Sequence, residues 1–132
     1  MRRRYDSRRA PAAPVVAVTV RRPDGRGRGR LVHALLDTGA DVTVLPSSLV
    51  TALGAPPAGE RYIRGVGAAD VYRVRAYFVE FELDDRCQLV EVVALGDEPI
   101  AGRNWLNSFD ITLYGPQQVV TINAPSSADE DA

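Results

Sequence analysis

The 132-residue chain is poor in the residues that several common kinds of site require. Cys87 is its single cysteine and His33 its single histidine, so a disulfide framework and a zinc site of Cys and His ligands are unsupported. We expect no metal and no cofactor. Cys87 is expected to be a small core or strand residue, and His33 an exposed strand residue.

Long apolar runs are also missing. The longest one covers residues 10–20 and is interrupted by two prolines and a threonine, whereas a membrane helix needs about 20 apolar residues. The first residues do not resemble a signal peptide. The sequence therefore predicts no membrane partner and a cytoplasmic location.

Lysine is absent, and all 16 basic residues are arginines with an uneven distribution. Residues 1–30 carry 10 of them against 2 aspartates, whereas residues 31–132 carry 6 against 15 acidic residues. Such a basic arm on an acidic body raises nucleic acid as a partner. However, no aromatic residues that could stack on bases lie near the Gly-Arg repeat of residues 25–30. A solvated loop is the favoured interpretation, and nucleic acid is not an expected partner.

Short segments rich in β-branched residues alternate with turn residues along the chain. They predict strands over residues 15–20, 31–36, 42–45, 61–66, 70–83, 88–95, 110–114 and 119–122. Helices are predicted over residues 46–54, capped by Ser47 or Ser48 and ended by Gly54, and over residues 102–108. The fold class is therefore all-β, with one or two short helices.

Composition divides the chain into three parts. Residues 1–14 are predicted to form a flexible arm rich in Arg and Pro, and residues 124–132 an acidic disordered tail. Residues 15–123 are predicted to form the single folded domain.

The tripeptide Asp37-Thr38-Gly39 follows the apolar strand predicted over residues 31–36. Alone it is a weak signal, because a strand that ends in an Asx-type turn gives the same residues. A carboxylate beside glycine at the end of a buried strand is nevertheless a poor turn unless something pairs with it. Two carboxylates that share one proton can activate water for attack on a peptide bond.

Three segments in order resemble the retropepsins, the retroviral-type aspartic proteases. Residues 34–46 (ALLDTGADVTVLP) resemble their active-site segment, residues 63–68 (IRGVGA) their flap tip, and residues 100–106 (IAGRNWL) their Gly-Arg-Asn/Asp motif. The resemblance spans residues 15–123. The helix predicted over residues 46–54 favours a cellular or bacterial branch.

The resemblance implies an acid-protease barrel that acts as a symmetric homodimer. The chain contains one Asp-Thr-Gly and is too short for a two-lobed protease, so a second copy must supply the other aspartate. By the resemblance, Asp37 is the catalytic carboxylate, Thr38 joins the two loops across the axis, and Gly39 presents its carbonyl to the substrate. Asp41 and Arg103 match positions that pair as structural support.

The resemblance also implies which residues bind the substrate. They are Leu35, Ala40, Asp41, Val44, Ile63, Gly65, Val66, Gly67 and Ile100. Arg64 stands where the viral flap usually has glycine. Asp97 and Glu98 either face the groove, where they would bind a basic substrate residue, or are solvated turn residues, which is the slightly favoured alternative.

These patterns predict an aspartic endopeptidase that hydrolyses peptide or protein substrates through water activated by two Asp37 carboxylates, one from each subunit. The alternative is a catalytically silent binding or assembly module with the same fold, whose Arg-rich N-terminal region contacts nucleic acid. The complete Asp-Thr-Gly and the intact flap-like segment favour the enzyme.

Overall fold

Most of the chain forms short strands, as the alternation of apolar and polar residues predicts. The computed structural model describes residues 1–64 and 71–125. The strands in this part are β1 (Arg2–Arg4), β2 (Val15–Arg21), β3 (Arg30–Leu36), β4 (Thr43–Leu45), β5 (Pro57–Arg64), β6 (Val71–Leu83), β7 (Arg86–Ala94), β8 (Ile100–Ala101), β9 (Asp110–Tyr114) and β10 (Val119–Asn123). Two short helices, α1 (Ser47–Leu53) and α2 (Arg103–Leu106), complete these elements. The predicted all-β class with two short helices is confirmed.

Six of the strands close into a barrel. Their order is β2-β3-β8-β4-β7-β6, and a second pairing of β2 with β6 joins the two ends, with Thr19 opposite Glu82 and Arg21 opposite Glu80. Closure removes exposed strand edges from these six strands. Strand β5 lies outside the ring and forms a hairpin with β6.

The barrel interior holds the main apolar core. Alternate valines of β2 face inward and are almost fully buried. Trp105 of α2 closes this core, with 1% of its surface exposed. Its ring lies edge-on to Phe81 and to Phe109, with centroid distances of 5.3 and 4.9 Å. Each such pair contributes about 0.5–1.5 kcal/mol beyond its buried area, so α2 is fixed against the barrel.

Strand β6 changes its buried face along its 13 residues. Val79, Phe81 and Leu83 point into the barrel core, whereas Val74 and Ala76 point into a second apolar cluster under the β5–β6 hairpin. Arg73 and Arg75 are exposed. The burial of Val74 and Ala76 was not predicted.

The N-terminal residues do not form the flexible arm that their composition predicts. Strand β1 pairs antiparallel with β10, with Arg2 opposite Thr121. The N-terminal ammonium donates to the Ile122 carbonyl oxygen at 2.9 Å and to Asn123 Oδ1 at 2.8 Å. Main-chain hydrogen bonds hold an edge strand whatever its side chains are, which explains why composition does not reveal β1. Of the predicted acidic tail, residues 126–132 lie outside the described part.

Helix α1 ends where the sequence predicts but begins differently. Gly54 follows it with φ of 64°, and its amide donates to the Thr51 carbonyl. This left-handed conformation is the usual reason for glycine after a helix. At the other end, Pro46 occupies the N-cap position and no side chain caps the helix, so the prediction of Ser47 or Ser48 as the cap was wrong.

Candidate active site

Asp37 is the first residue after β3, and hydrogen bonds on both sides fix the end of that strand. The Leu36 amide donates to the Pro14 carbonyl, the Leu35 amide to the Pro99 carbonyl, and the Asp37 amide to the Ala101 carbonyl, each at 3.0 Å. The backbone that carries the Asp37 carboxylate is therefore held by both the N-terminal segment and β8.

The loop after Asp37 folds back onto its carboxylate. The Gly39 amide donates to Asp37 Oδ1 at 2.9 Å, and the Ala40 amide donates to the Asp37 carbonyl at 3.2 Å. Asp37 is half-buried, Thr38 and Gly39 are exposed, and no ion pair to Asp37 occurs within residues 1–64 and 71–125. The carboxylate is oriented and remains accessible, as a group that takes a proton from water must be.

Arg103 holds the same loop from α2. Its Nη1 donates to the Thr38 carbonyl at 2.6 Å, its Nη2 forms an ion pair with Asp41, and its backbone amide donates to the Ala40 carbonyl at 2.9 Å. The Asp41 side chain is 85% exposed and that of Arg103 43%. An ion pair this exposed contributes about 0–1 kcal/mol to stability, so its main effect is on the shape of the loop.

A hydrogen-bond network centred on a buried threonine lies next to the loop and was not predicted. Thr43 is the one buried polar residue in the described part of the chain. Its amide and its Oγ1 both donate to Asn104 Oδ1, at 2.9 and 2.8 Å, and its Oγ1 accepts from the Gly102 amide at 3.1 Å. Asn104 Nδ2 donates to the Glu91 carbonyl at 2.8 Å. The Gly-Arg-Asn segment thus joins α2, β4 and β7.

Gly102 is required by the close approach of two backbones. A Cβ at this position would lie 2.6 Å from the Val42 carbonyl carbon and oxygen and 2.9 Å from the Thr43 amide nitrogen. Backbone atoms cannot move aside as a flexible side chain can. The sequence signal for this contact is the glycine of the third matched segment.

We expect Gly102→Ala to lower the free energy of unfolding by about 1–3 kcal/mol, the usual cost of overpacking a well-packed site. Urea unfolding measures it. Gly115→Ala is the matched control, because a Cβ there meets no atom within 4 Å, and it should leave the unfolding midpoint nearly unchanged. Equal midpoints for both variants would show that the β4–α2 contact is loose.

A cleft of about 490 Å³ opens beside the loop. Residues from the loop, β4, the β5–β6 hairpin and β7 form its walls: Gly39, Ala40, Asp41, Val42, Val44, Arg61, Tyr62, Ile63, Arg64 and Val93. Four of the predicted substrate-binding residues are among them, namely Ala40, Asp41, Val44 and Ile63. The predicted Gly65, Val66 and Gly67 lie outside the described residues.

Two other predicted substrate-binding residues do not line this cleft. Leu35 and Ile100 are paired with each other across β3 and β8 and are half-buried. Ile100 is also opposite Val44 of β4. The substrate-binding role of Leu35 and Ile100 therefore remains a prediction.

The two acidic residues before Ile100 differ in their surroundings. Glu98 Oε1 lies 2.5 Å from Arg9 Nη2, so its carboxylate is bound by the N-terminal segment. Asp97 is exposed. Neither residue lines the cleft. The alternative in which Glu98 faces the groove and binds a basic substrate residue is therefore not supported, because Arg9 of the same chain already supplies a guanidinium.

Two carboxyl groups in the first thirty residues have lowered pKa values. Hydrogen bonds from the Arg8 side chain and backbone lower the pKa of Asp6, and a hydrogen bond from the Arg26 amide lowers that of Asp24. A carboxyl group whose pKa is lower in the folded protein stabilises the fold at pH values above its pKa in the unfolded chain. This stabilisation is lost as the pH falls through the pKa of the folded protein. Desolvation and a hydrogen bond to Glu82 raise the pKa of Cys87.

Within residues 1–64 and 71–125, no group of His, Cys, Asp and Glu side chains is arranged to hold a metal ion. Nor does the described part contain a helix of the length and apolar character that a membrane crossing demands. Cys87 and His33 both lie exposed on strands, on β7 and β3 respectively.

Comparison with known families gives a direct match. A family model described as aspartyl protease matches residues 23–103, which is more than half of the chain. This span includes Asp37, the β5–β6 hairpin and Arg103. No curated protein is significantly similar to this chain in sequence.

Comparison with solved structures gives the fold. The chain is similar to a retropepsin-like aspartic protease from Rickettsia conorii, with 16% identity and a TM-score of 0.56 over 85% of this chain and 93% of that one. It is also similar to the Simian Foamy Virus (mac) protease, with 17% identity and a TM-score of 0.52 over 71% of this chain and 92% of that one. A third similar structure is the EIAV protease in complex with the inhibitor HBY-793. It is 22% identical to this chain, with a TM-score of 0.50 over 72% of this chain and 86% of that one. At these identities the likeness establishes the retropepsin-like fold.

Proposed function

Because the chain belongs to the aspartyl protease family, we propose that it is an aspartic endopeptidase and that Asp37 is its catalytic carboxylate. The observation that carries the proposal is the position of Asp37. Its backbone is fixed by the hydrogen bond to Ala101, its Oδ1 is oriented by the Gly39 amide, and its side chain is half-buried. Asp37 does not itself line the cleft, but the residues that follow it in the loop, Gly39, Ala40 and Asp41, do.

We propose that the active form is a symmetric homodimer. The chain contains one Asp-Thr-Gly, whereas water activation of this kind needs two carboxylates that share one proton. A two-fold axis beside the loop would bring Asp37 of each copy together. The exposure of Thr38 and Gly39 supports this placement, because both residues are free to contact a second loop.

The proposed reaction needs nothing beyond these two side chains, water and the peptide. The ionised carboxylate takes a proton from water, and the water oxygen attacks the carbonyl carbon of the scissile bond. The protonated carboxyl group gives its proton to the carbonyl oxygen. When the tetrahedral intermediate breaks down, the protonated carboxyl group gives its proton to the nitrogen, the ionised carboxylate takes a proton from a hydroxyl group of the intermediate, and the C–N bond is cleaved. The pair then again holds one proton.

Thr38, Gly39, Asp41 and Arg103 are assigned supporting roles. The Arg103 fork holds the Thr38 carbonyl and Asp41, and this contact keeps the loop in a shape that a second copy could meet. The apolar wall residues Val44 and Ile63 suit an extended peptide with large apolar side chains. The assignment of Gly65, Val66 and Gly67 as the lid over the peptide remains a prediction.

A digest of a fluorogenic peptide library at several pH values tests the proposed function. We expect cleavage with a maximum at about pH 4–6, because the pair of carboxylates must hold one proton between them. As the pH rises the shared proton is lost, so activity should fall on the alkaline side. A rate that increases steadily to pH 9 would contradict the mechanism. Complete absence of cleavage would favour the alternative, a binding or assembly module with the same fold.

A further inference from the structure

The charged residues that line the cleft differ in whether they have a partner. Arg61 forms an ion pair with Glu91, and Asp41 forms one with Arg103. Arg64, the last residue of β5, lines the same cleft and is exposed. It has no ion pair within the described part of the chain. Among the described residues, Arg64 is therefore the one charged wall residue of the cleft that has no ionic partner.

The surroundings of Arg64 make this charge accessible to a bound peptide. The lining of the cleft also includes apolar residues, among them Val42, Val44 and Val93. A peptide that fills the cleft displaces water from these walls, and a lower local dielectric strengthens a contact between opposite charges. A guanidinium also offers a planar pair of donors that matches the two oxygens of a carboxylate.

We propose that Arg64 makes this cleft selective for peptides that carry a glutamate or aspartate near the scissile bond. The inference rests on the proposed endopeptidase function and names its substrate class. The carboxylate of the substrate would accept two hydrogen bonds from the Arg64 guanidinium, a charge-assisted contact that a neutral amide of the same shape makes only weakly. This preference is opposite in sign to the one that Asp97 and Glu98 predict.

The hairpin that carries Arg64 contains a matched control. Arg75 of β6 is exposed and likewise has no ion pair among the described residues, but it does not line the cleft. Arg73 is less suitable, because its Nε lies 3.5 Å from Glu60 Oε2. Arg64→Gln and Arg75→Gln therefore each remove one positive charge from the same hairpin, the first inside the cleft and the second outside it.

Pairs of fluorogenic peptides that differ only by Glu or Gln at one position near the cut provide the cleavage test. We expect the parent protein to cleave the best Glu peptide with a kcat/KM about tenfold above that of its Gln partner. The ratio should fall to near one in Arg64→Gln and persist in Arg75→Gln. Arg64→Glu should instead favour a Lys peptide over its Gln partner.

Peptide binding to the Asp37→Asn protein, measured by fluorescence anisotropy, separates this inference from the proposed function because it needs no cleavage. The inference predicts tighter binding of the Glu peptide, and loss of that preference when Arg64→Gln is added. Equal affinity of the Glu and Gln peptides, or an equal preference after Arg64→Gln, would overturn it. If the parent protein cleaves no peptide while Asp37→Asn retains the binding preference, the charge selectivity is upheld and the endopeptidase function is contradicted.

Discussion

The variant Asp37→Asn is expected to lose peptidase activity by about 10²–10⁴-fold, the usual contribution of a positioned general acid or base. An amide has the same shape as the carboxylate, and its oxygen can still accept the hydrogen bond that the Gly39 amide donates at 2.9 Å. It cannot take a proton from water. The loss should therefore appear in kcat without a matching loss of folded protein.

Measuring the unfolding of the same Asp37→Asn preparation shows whether the loss of activity comes from the missing carboxylate or from a destabilised fold. The free energy of unfolding of Asp37→Asn should lie close to that of the parent, because Asp37 has no ion pair in the described residues. Asp85→Asn is the matched control, since Asp85 is exposed in the turn between β6 and β7. Full activity in Asp37→Asn would remove Asp37 from the chemistry.

Specific activity is expected to fall on dilution once the protein concentration is below the dimer dissociation constant. Well below that constant the dimer fraction is proportional to total concentration, so a tenfold dilution should lower specific activity about tenfold. Enzyme assays over a dilution series, with sedimentation over the same range, measure both quantities. The loss should follow the disappearance of the dimer.

Two copies joined in one chain by a flexible Gly/Ser linker provide the control. Such a linker holds the subunits at an effective concentration in the millimolar range, so this tandem protein should resist dilution. Constant specific activity of the unlinked protein at concentrations where sedimentation finds only monomer would show that a single copy is sufficient.

Local patterns predicted most of the barrel. Alternation and β-branched residues placed most strands within a few residues of their observed bounds, since a strand with one buried face carries its period in its own sequence. Strand β6 departs from this rule because its two halves serve different clusters. The buried side chains change from Val74 and Ala76 to Val79 and Phe81. A single alternation cannot reveal such a change.

The candidate site was predicted in part. Asp37 and its two neighbours form a local motif, so their place after β3 follows from the sequence. The Asp41–Arg103 ion pair joins residues 62 positions apart, and only the resemblance pointed to it. The Thr43–Asn104 network was missed because a buried threonine in a short strand gives no periodic signal.

Contacts between distant parts of the chain also determine features that composition does not predict. Arg2–Arg4 form a paired strand although their charges are typical of a solvated arm, because β10 offers a free row of main-chain donors and acceptors. Glu98 is bound by Arg9 from the same N-terminal segment. No local pattern links these two residues, and their contact argues against the alternative in which Glu98 binds a basic substrate residue.

Subunit mixing tests directly whether two copies of Asp37 form one catalytic pair. Wild-type and Asp37→Asn proteins are equilibrated in varied ratio at a fixed total concentration above the dimer dissociation constant, and activity is measured for each mixture. If both carboxylates are needed, activity follows the square of the wild-type fraction, so an equal mixture retains about a quarter of full activity. Activity that is linear in the wild-type fraction, with half retained in the equal mixture, would contradict the shared pair.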